Sequence, residues 1–250
     1  MAEAISGDEF ALRRQNMVDS QLRTYDVTDQ ALLAAFAQVP REAFVAPAFA
    51  SLAYVDGDAP ARGATERRLL APMVLARLIQ AAKVRPGEKA LDVAGGSGYS
   101  AAILAAMGAE VVAVESDAGA VAAARNLLGA QKTVLIVAGA LAQGAPGEAF
   151  DVILVNGAFE REPAQLLSQL ADGGRLVGVD ASFSSSKAVL VEKIGGAASR
   201  RVLFDAVAVE KEFVHFTIAE GAGDHCEAGA RTLYHARSFG WLDGVLGLES

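Results

Sequence analysis

The segment LDVAGGSGYSAA (91–102) constrains this chain more than any other. A strand-like run from Lys89 to Ala94 leads into glycines at 95, 96 and 98, and the apolar stretch YSAAILAAMG then reads as a helix. In sheets whose strands alternate with helices, such a strand–turn–helix is where backbone amides at a helix N-terminus meet a ligand. Gly95, Gly96 and Gly98, with Ser97 between them, take side chains out of the turn and let the backbone be approached. The alternation continues downstream. EVVAVE (110–115) reads as a strand, AGAVAAARNLLG as a helix, TVLIVAG (133–139) and FDVILVNG (150–157) as strands, Pro163–Ala171 as a helix and GRLVGVD (174–180) as a strand. KAVLVEKI (187–194) and RVLFDAVAVE (201–210) have no helix between them and predict an antiparallel edge hairpin turning at Gly195-Gly196. The expected fold is therefore α/β, a doubly wound, mostly parallel sheet of seven strands.

The part before Lys89 reads differently. Thr28 is positioned to cap a helix starting at Asp29, with Leu32, Leu33, Phe36 and Val39 on one face and Pro40 ending it. A loop-rich stretch runs from Pro47 to about Arg67. Pro72 suits the first turn of another helix, whose buried stripe is Leu75, Leu78, Ile79 and Ala82, closed by Pro86-Gly87. The expected organisation is a helical extension or cap (1–88), a ligand-binding α/β domain (89–220) and an unassigned tail (221–250), folded together as one structural domain.

Composition removes several classes. The chain has 250 residues, 52% apolar and 21% charged, enough to bury a core. Its net charge of −8, without a dense basic stripe, argues against nucleic acid or an anionic membrane surface as a partner. Cys226 is the single cysteine, so an intrachain disulfide and thiolate-built zinc are excluded. His215, His225 and His235 lack metal-site spacing, and no metal is expected. The longest uncharged stretch, Val93–Ala109, contains the glycine turn and is too polar to span a bilayer. The start, MAEAISGDEFALRRQ, lacks an apolar signal core, and a cytoplasmic location is the expectation.

Two carboxylates narrow the ligand. Glu115 ends the second strand, followed by Ser116 and Asp117, where an acid accepts hydrogen bonds from both ribose hydroxyls. Asp92 lies in the first strand just before the turn. An acid there suits a ligand with an ammonium and a sulfonium, S-adenosylmethionine, and repels a pyrophosphate. The alternative reading of Asp92 is a carboxylate that caps the turn amides. Gly96, Gly98 and Ala101 also satisfy the GxGxxA pattern of dinucleotide enzymes, so a nicotinamide oxidoreductase stays open, although no hydride-transfer constellation accompanies it.

The chain resembles the protein-L-isoaspartate O-methyltransferase family, within the seven-strand S-adenosylmethionine-dependent methyltransferases. The matching pieces are NMVDSQLR (16–23), VPREAFV (39–45), AYVDG (53–57), LLAPMVLARL (69–78), DVAGGSGYSAAILA (92–105), VVAVE (111–115), FDVILVNGA (150–158) and QLADGGRLV (169–177). The resemblance implies repair of damaged proteins. A peptide or protein carboxylate at an isoaspartyl residue is esterified, the ester collapses to a succinimide, and S-adenosylhomocysteine is the product. It also implies a cofactor site made of Asp92, Ala94, Gly95, Gly96, Ser97, Gly98, Glu115, Ser116, Gly139, Ala140 and Asn156.

Three departures stand against the family pattern. Ala94 replaces a glycine. The third strand is followed by Gly139-Ala140 where the family has Gly-Asp, the acid facing the adenine amine. Arg68-Leu69-Leu70-Ala71-Pro72 replaces a run of the type Thr-Ile-Ser-x-Pro, with Leu70 at the serine. A carboxylate acceptor is ionised near neutral pH and needs no general base, so Leu70 removes an orienting donor, a loss of about 1–3 kcal/mol if a substrate oxygen is left unpaired. Arg67, Arg68, Leu70 and Ala71 are the substrate-side candidates, the two arginines as carboxylate holders or as a solvated pair before a helix. No residue is assigned as catalytic. A relative that binds the cofactor without turnover, acting as a regulatory module, is the alternative from another class.

Overall fold

A computed structural model describes residues 5–206. Those residues open with α1 (Gly7–Met17), capped by the Ser6 hydroxyl, which accepts from the Glu9 amide at 3.2 Å. A π-helical turn over Val18–Leu22 and a 3₁₀ turn over Arg23–Tyr25 follow, ending at Asp26 with φ 62°. Helix α2 spans Gln30–Gln38, α3 Arg41–Phe44, and a 3₁₀ turn covers Pro47–Leu52. The cap of α2 is Asp29, not Thr28: the Asp29 carboxylate accepts from the Leu32 amide at 3.1 Å. The amides of Thr28 and Asp29 are held instead by Gln80 Oε1, so a distant side chain fixes where the helix begins. Leu32, Leu33, Phe36 and Val39 are all buried, as their spacing predicts.

The loop-rich stretch contains a small antiparallel ribbon, β1 (Ala59–Pro60) with β2 (Arg68–Leu69), which the sequence does not announce. Helix α4 (Pro72–Ala82) starts with its proline and ends at Lys83 in the left-handed region. Its stripe of Leu75, Leu78, Ile79 and Ala82 is at most 1% exposed, so each large side chain contributes about 1.5–3 kcal/mol of apolar burial.

The α/β part follows the predicted order: β3 (Lys89–Val93), α5 (Tyr99–Ala106), β4 (Glu110–Glu115), α6 (Ala118–Leu128), β5 (Val134–Ala138), β6 (Phe150–Phe159), α7 (Ala164–Ser168), β7 (Leu170–Asp180), β8 (Lys187–Ile194) and β9 (Ala197–Asp205). The seven-stranded sheet runs β5-β4-β3-β6-β7-β8-β9, parallel as far as β7 and antiparallel at β8 and β9. The hairpin turns at Gly195-Gly196, both with positive φ. Helix α7 is shorter than the expected 163–171, because Leu170 pairs with Phe150 and extends β7 backwards. The strand β9 likewise begins at Ala197, ahead of Arg201. Residues 207–210, the three histidines, Cys226 and the tail 221–250 lie outside the described residues.

The order reverses between β3 and β6, so the crevice at their carboxyl ends is the topological switch point. One apolar core continues from the first helices through α4 and α5 onto that side of the sheet. Arg175 on β7 fastens α4 to the sheet. Its guanidinium donates to the carbonyls of Ala82, Lys83 and Asp151 and to both oxygens of Glu88 at 2.6–3.1 Å, engaging all its N–H groups. Burial raises the Glu88 carboxyl, but the Arg175 and Arg85 contacts outweigh it and the net shift is downward.

Candidate cofactor and substrate site

β3 ends by placing the Asp92 carboxylate under the glycine turn. Asp92 is fully buried; Oδ2 accepts from Ser100 Oγ at 2.8 Å and Oδ1 from Asn156 Nδ2 at 2.6 Å. Burial pushes its carboxyl up to about 6, against these hydrogen bonds, with the charge of Glu115 adding to the rise. Asn156, at the end of β6, also donates to the Val93 carbonyl at 3.2 Å. The turn itself is tight. A Cβ on Gly95 would lie 2.3 Å from Asp92 Oδ2, so only glycine lets the turn fold over the acid. Ala94 sits at φ 61°, where a non-glycine residue is strained by about 1–2 kcal/mol. This gives a backbone reason for the family's glycine there.

Glu115 ends β4 next to the same turn. Its Oε2 accepts from the Gly96 amide at 2.9 Å, and Oε1 from the amides of Ser116 at 2.7 Å and Asp117 at 3.0 Å. Arg67 completes the set, with Nη2 and Nε at 3.0 and 3.2 Å from Oε1, in an ion pair whose partners are 8% and 3% exposed. Arg67 Nη2 also reaches Ser116 Oγ at 3.2 Å. Gly139 donates its amide to the Glu115 carbonyl at 3.0 Å, and Ala140 follows it exposed, leaving no side-chain acceptor after β5 at that position.

The N-terminal part lies over the turn. Ser97 Oγ donates to the Phe44 carbonyl, and a Cβ on Gly96 would meet Ala61 Cβ at 2.9 Å and Arg67 Cγ at 3.1 Å. Asp117 caps α6 through the Ala120 amide at 2.8 Å and holds the Thr65 amide at 3.0 Å. Residues 91–100 are buried throughout. Arg68 is exposed and donates to the Asp58 carbonyl at 2.7 Å, whereas Leu70 is buried and Ala71 donates its amide to the Asp58 carboxylate at 2.7 Å. The structure thus gathers Asp92, the glycines, Glu115, Asn156 and Arg67 at the switch point. It parts Arg67 from Arg68, its neighbour in sequence.

Sequence reasoning missed Arg41, although it lies in the VPREAFV run. Its side chain is fully buried, Nε donates to the Ala53 carbonyl and Nη2 to the Leu70 carbonyl, both at 2.9 Å, and its guanidinium lies 4.9 Å from the Tyr99 ring centre. Arg41 Nη1 and Tyr99 Oη have no hydrogen-bond partner among the described residues. Burial pulls the Arg41 guanidinium down and pushes the Tyr99 phenol up to about 12. The signal that could have found Arg41 is its place in the run Val39–Val45, where Glu42 is the only other charged residue among apolar ones.

Comparison with known proteins decides the family. A family model described as protein-L-isoaspartate(D-aspartate) O-methyltransferase matches residues 12–207. The chain belongs to the protein-L-isoaspartate(D-aspartate) O-methyltransferase family. A protein-L-isoaspartate O-methyltransferase from Methylorubrum populi is 44% identical over 166 residues, 66% of this chain and 77% of that protein. Another from Koribacter versatilis is 36% identical over 199 residues, 78% of this chain and 89% of that protein. A Plasmodium falciparum family structure, solved with S-adenosyl-L-homocysteine, superposes with a TM-score of 0.68 at 20% identity over 81% of this chain and 97% of that one. A second solved protein-L-isoaspartate O-methyltransferase gives the same TM-score at 23% identity; this chain spans 65% of its length. The likeness to these structures fixes the family fold, a methyltransferase sheet that here ends at one edge in the antiparallel β8–β9 hairpin. Among the described residues, no helix is long and apolar enough to cross a membrane, and no cluster of His, Cys, Asp and Glu could hold a metal ion.

Proposed function

We propose that this chain methylates an isoaspartyl carboxylate of damaged protein, with S-adenosylmethionine as cofactor and S-adenosylhomocysteine as product. The observation that carries the reading is the hydrogen bond from the Gly96 amide to Glu115. It joins the glycine turn after β3 to the acid ending β4, at the switch point of a sheet that belongs to a methyltransferase family.

The donor and acceptor set fits the cofactor. Asp92 is an acceptor for an ammonium, Glu115 an acceptor for a ribose diol, and Gly95, Gly96 and Ser97 bring backbone between them. Asn156 orients Asp92. Ala94, Gly98, Ser116, Gly139 and Ala140 line the same crevice in this reading. When bound, S-adenosylmethionine supplies a methyl group activated by a sulfonium. The chain's own work is alignment and exclusion of water, because an acceptor carboxylate is ionised without help. Residues 1–88 form the cap that does this. Arg68 and Ala71 face the acceptor, and Arg41 holds the Leu70 carbonyl from beneath. The ligand-binding body is residues 89–220. The reading includes no metal, no nucleic acid and no membrane partner, and places the protein in the reducing cytoplasm, in keeping with its single cysteine.

Leu70 favours a second reading. It is 8% exposed, so a buried apolar side chain stands where the family has a hydroxyl, and a cofactor-binding relative without turnover would look the same. Methyl transfer from S-adenosylmethionine to an isoaspartyl peptide and to its aspartyl twin separates the two. Turnover of the isoaspartyl peptide alone supports repair methylation; cofactor binding with no turnover supports the binding module.

A further inference from the structure

We infer that Arg67 sets how tightly this chain holds its nucleoside ligand, because its guanidinium and a ribose diol compete for one carboxylate, Glu115. The inference rests on the cofactor reading above. Glu115 Oε1 already receives four N–H groups, two from Arg67 and one each from Ser116 and Asp117, while Oε2 receives only the Gly96 amide. A carboxylate offers about four lone-pair sites in all, so five N–H groups already overfill Glu115, and only the departure of Arg67, which brings the count to three, opens Oε1 to a hydroxyl donor. The stem of Arg67 adds to the conflict. Its Cγ lies 3.1 Å from where a Cβ on Gly96 would stand, so it fills the hollow that the missing side chain leaves above the turn.

Arg67 is also the donor that can leave. The other three are backbone amides fixed by the ends of β3 and β4, whereas Arg67 reaches across from β1–β2 of the cap on a flexible side chain, 48 residues away in sequence. It has somewhere to go: Nη2 already touches Ser116 Oγ, an exposed residue, and the Asp117 carboxylate feels its charge. A ligand that binds only when Arg67 is off Glu115 has an apparent dissociation constant equal to its intrinsic one divided by the fraction of time the arginine is off. The same holds for the product, which shares the ribose, so Arg67 also opposes product rebinding by closing over Glu115 once the site is empty.

The test is a calorimetric and stopped-flow titration of S-adenosylhomocysteine into the full chain, its Arg67→Gln variant and its Arg67→Lys variant, with thermal unfolding of each ligand-free protein. Arg67→Gln is expected to bind about ten-fold or more tighter, with the gain in the association rate, while its ligand-free Tm falls because Glu115 loses its buried partner. Arg67→Lys keeps the charge without the two-pronged contact and is expected to bind tighter by a smaller factor; it carries the test if the glutamine variant fails to fold. An arginine that only supports structure would lower Tm and leave affinity unchanged or weaker, and that result overturns the inference while the cofactor reading stands. Failure of both the unaltered chain and the variants to bind removes the cofactor reading and the inference together.

Discussion

Asp92 concentrates the chemistry of a single residue. Its carboxyl, raised to about 6 by burial from an ordinary 3.8, binds a proton more tightly in the folded chain than in the unfolded one. Its contribution to stability therefore falls as pH rises from about 4 to 6, by on the order of 3 kcal/mol. Asp92→Asn removes this slope, so the difference between the two proteins in urea unfolding should shift in favour of the variant between pH 4 and pH 7. An unchanged difference would show that Asp92 titrates normally. Ligand binding carries the opposite sign. An ammonium needs the ionised form, so S-adenosylhomocysteine affinity should weaken about ten-fold per pH unit below 6 in the unaltered chain and much less in the asparagine variant, as read by calorimetry at pH 5 and 7. At this scale the glycine turn and both acids were legible, because strand, turn and acid follow one another locally. The Arg67–Glu115 pair was not, since nothing in a linear pattern tells which arginine crosses 48 residues to meet a given carboxylate. Leu70→Ser restores a hydroxyl to the buried position beside the Arg41 contact; if that donor is what the site lacks, turnover of an isoaspartyl peptide should rise about ten-fold, in the same peptide assay.

Elements were read well where the pattern is periodic and poorly where a side chain from elsewhere sets an end. The strand β4 matches its expected bounds, since EVVAVE is buried from Val111 onward. The start of α2 moved by one residue because Gln80 occupies the Thr28 amide, and the π-turn at Val18–Leu22 has no periodicity of its own to reveal it. One contact between elements offers a test with a decisive sign. A methyl on Gly119 in α6 would stand 2.0 Å from the Gly63 carbonyl oxygen, where the cap loop crosses the helix. Helix propensity alone makes Gly→Ala stabilising by about 1 kcal/mol. Gly119→Ala is expected instead to lower the urea midpoint and to speed proteolytic cleavage in the 55–66 loop; a gain in stability would mean the loop does not rest there.

At the scale of the whole molecule, the alternating order gave a seven-stranded sheet with its antiparallel edge, and the resemblance gave the family. What stayed hidden was how the cap is fastened. Arg175 reads in sequence as one residue of a glycine-rich strand start, yet from β7 it joins the end of α4, Glu88 just before β3, and β6 through five donors. Arg175→Lys loses the fork geometry that serves them. It should lower stability by about 3 kcal/mol, or roughly 6–12 °C in Tm for a chain of this size, measured by calorimetric unfolding. Because Glu88 is depressed by the same contact, that contribution is present at neutral pH and fades as pH falls through the acidic range.

The roof that residues 43–69 lay over the glycine turn has a kinetic meaning. With residues 91–100 sealed from solvent, a molecule bound there must enter and leave through a breathing motion of that roof. On the cofactor reading proposed above, we predict that this motion, not bond making, sets the ceiling on each cycle. Such a ceiling would announce itself as a turnover number that drops with added viscogen and climbs steeply on warming.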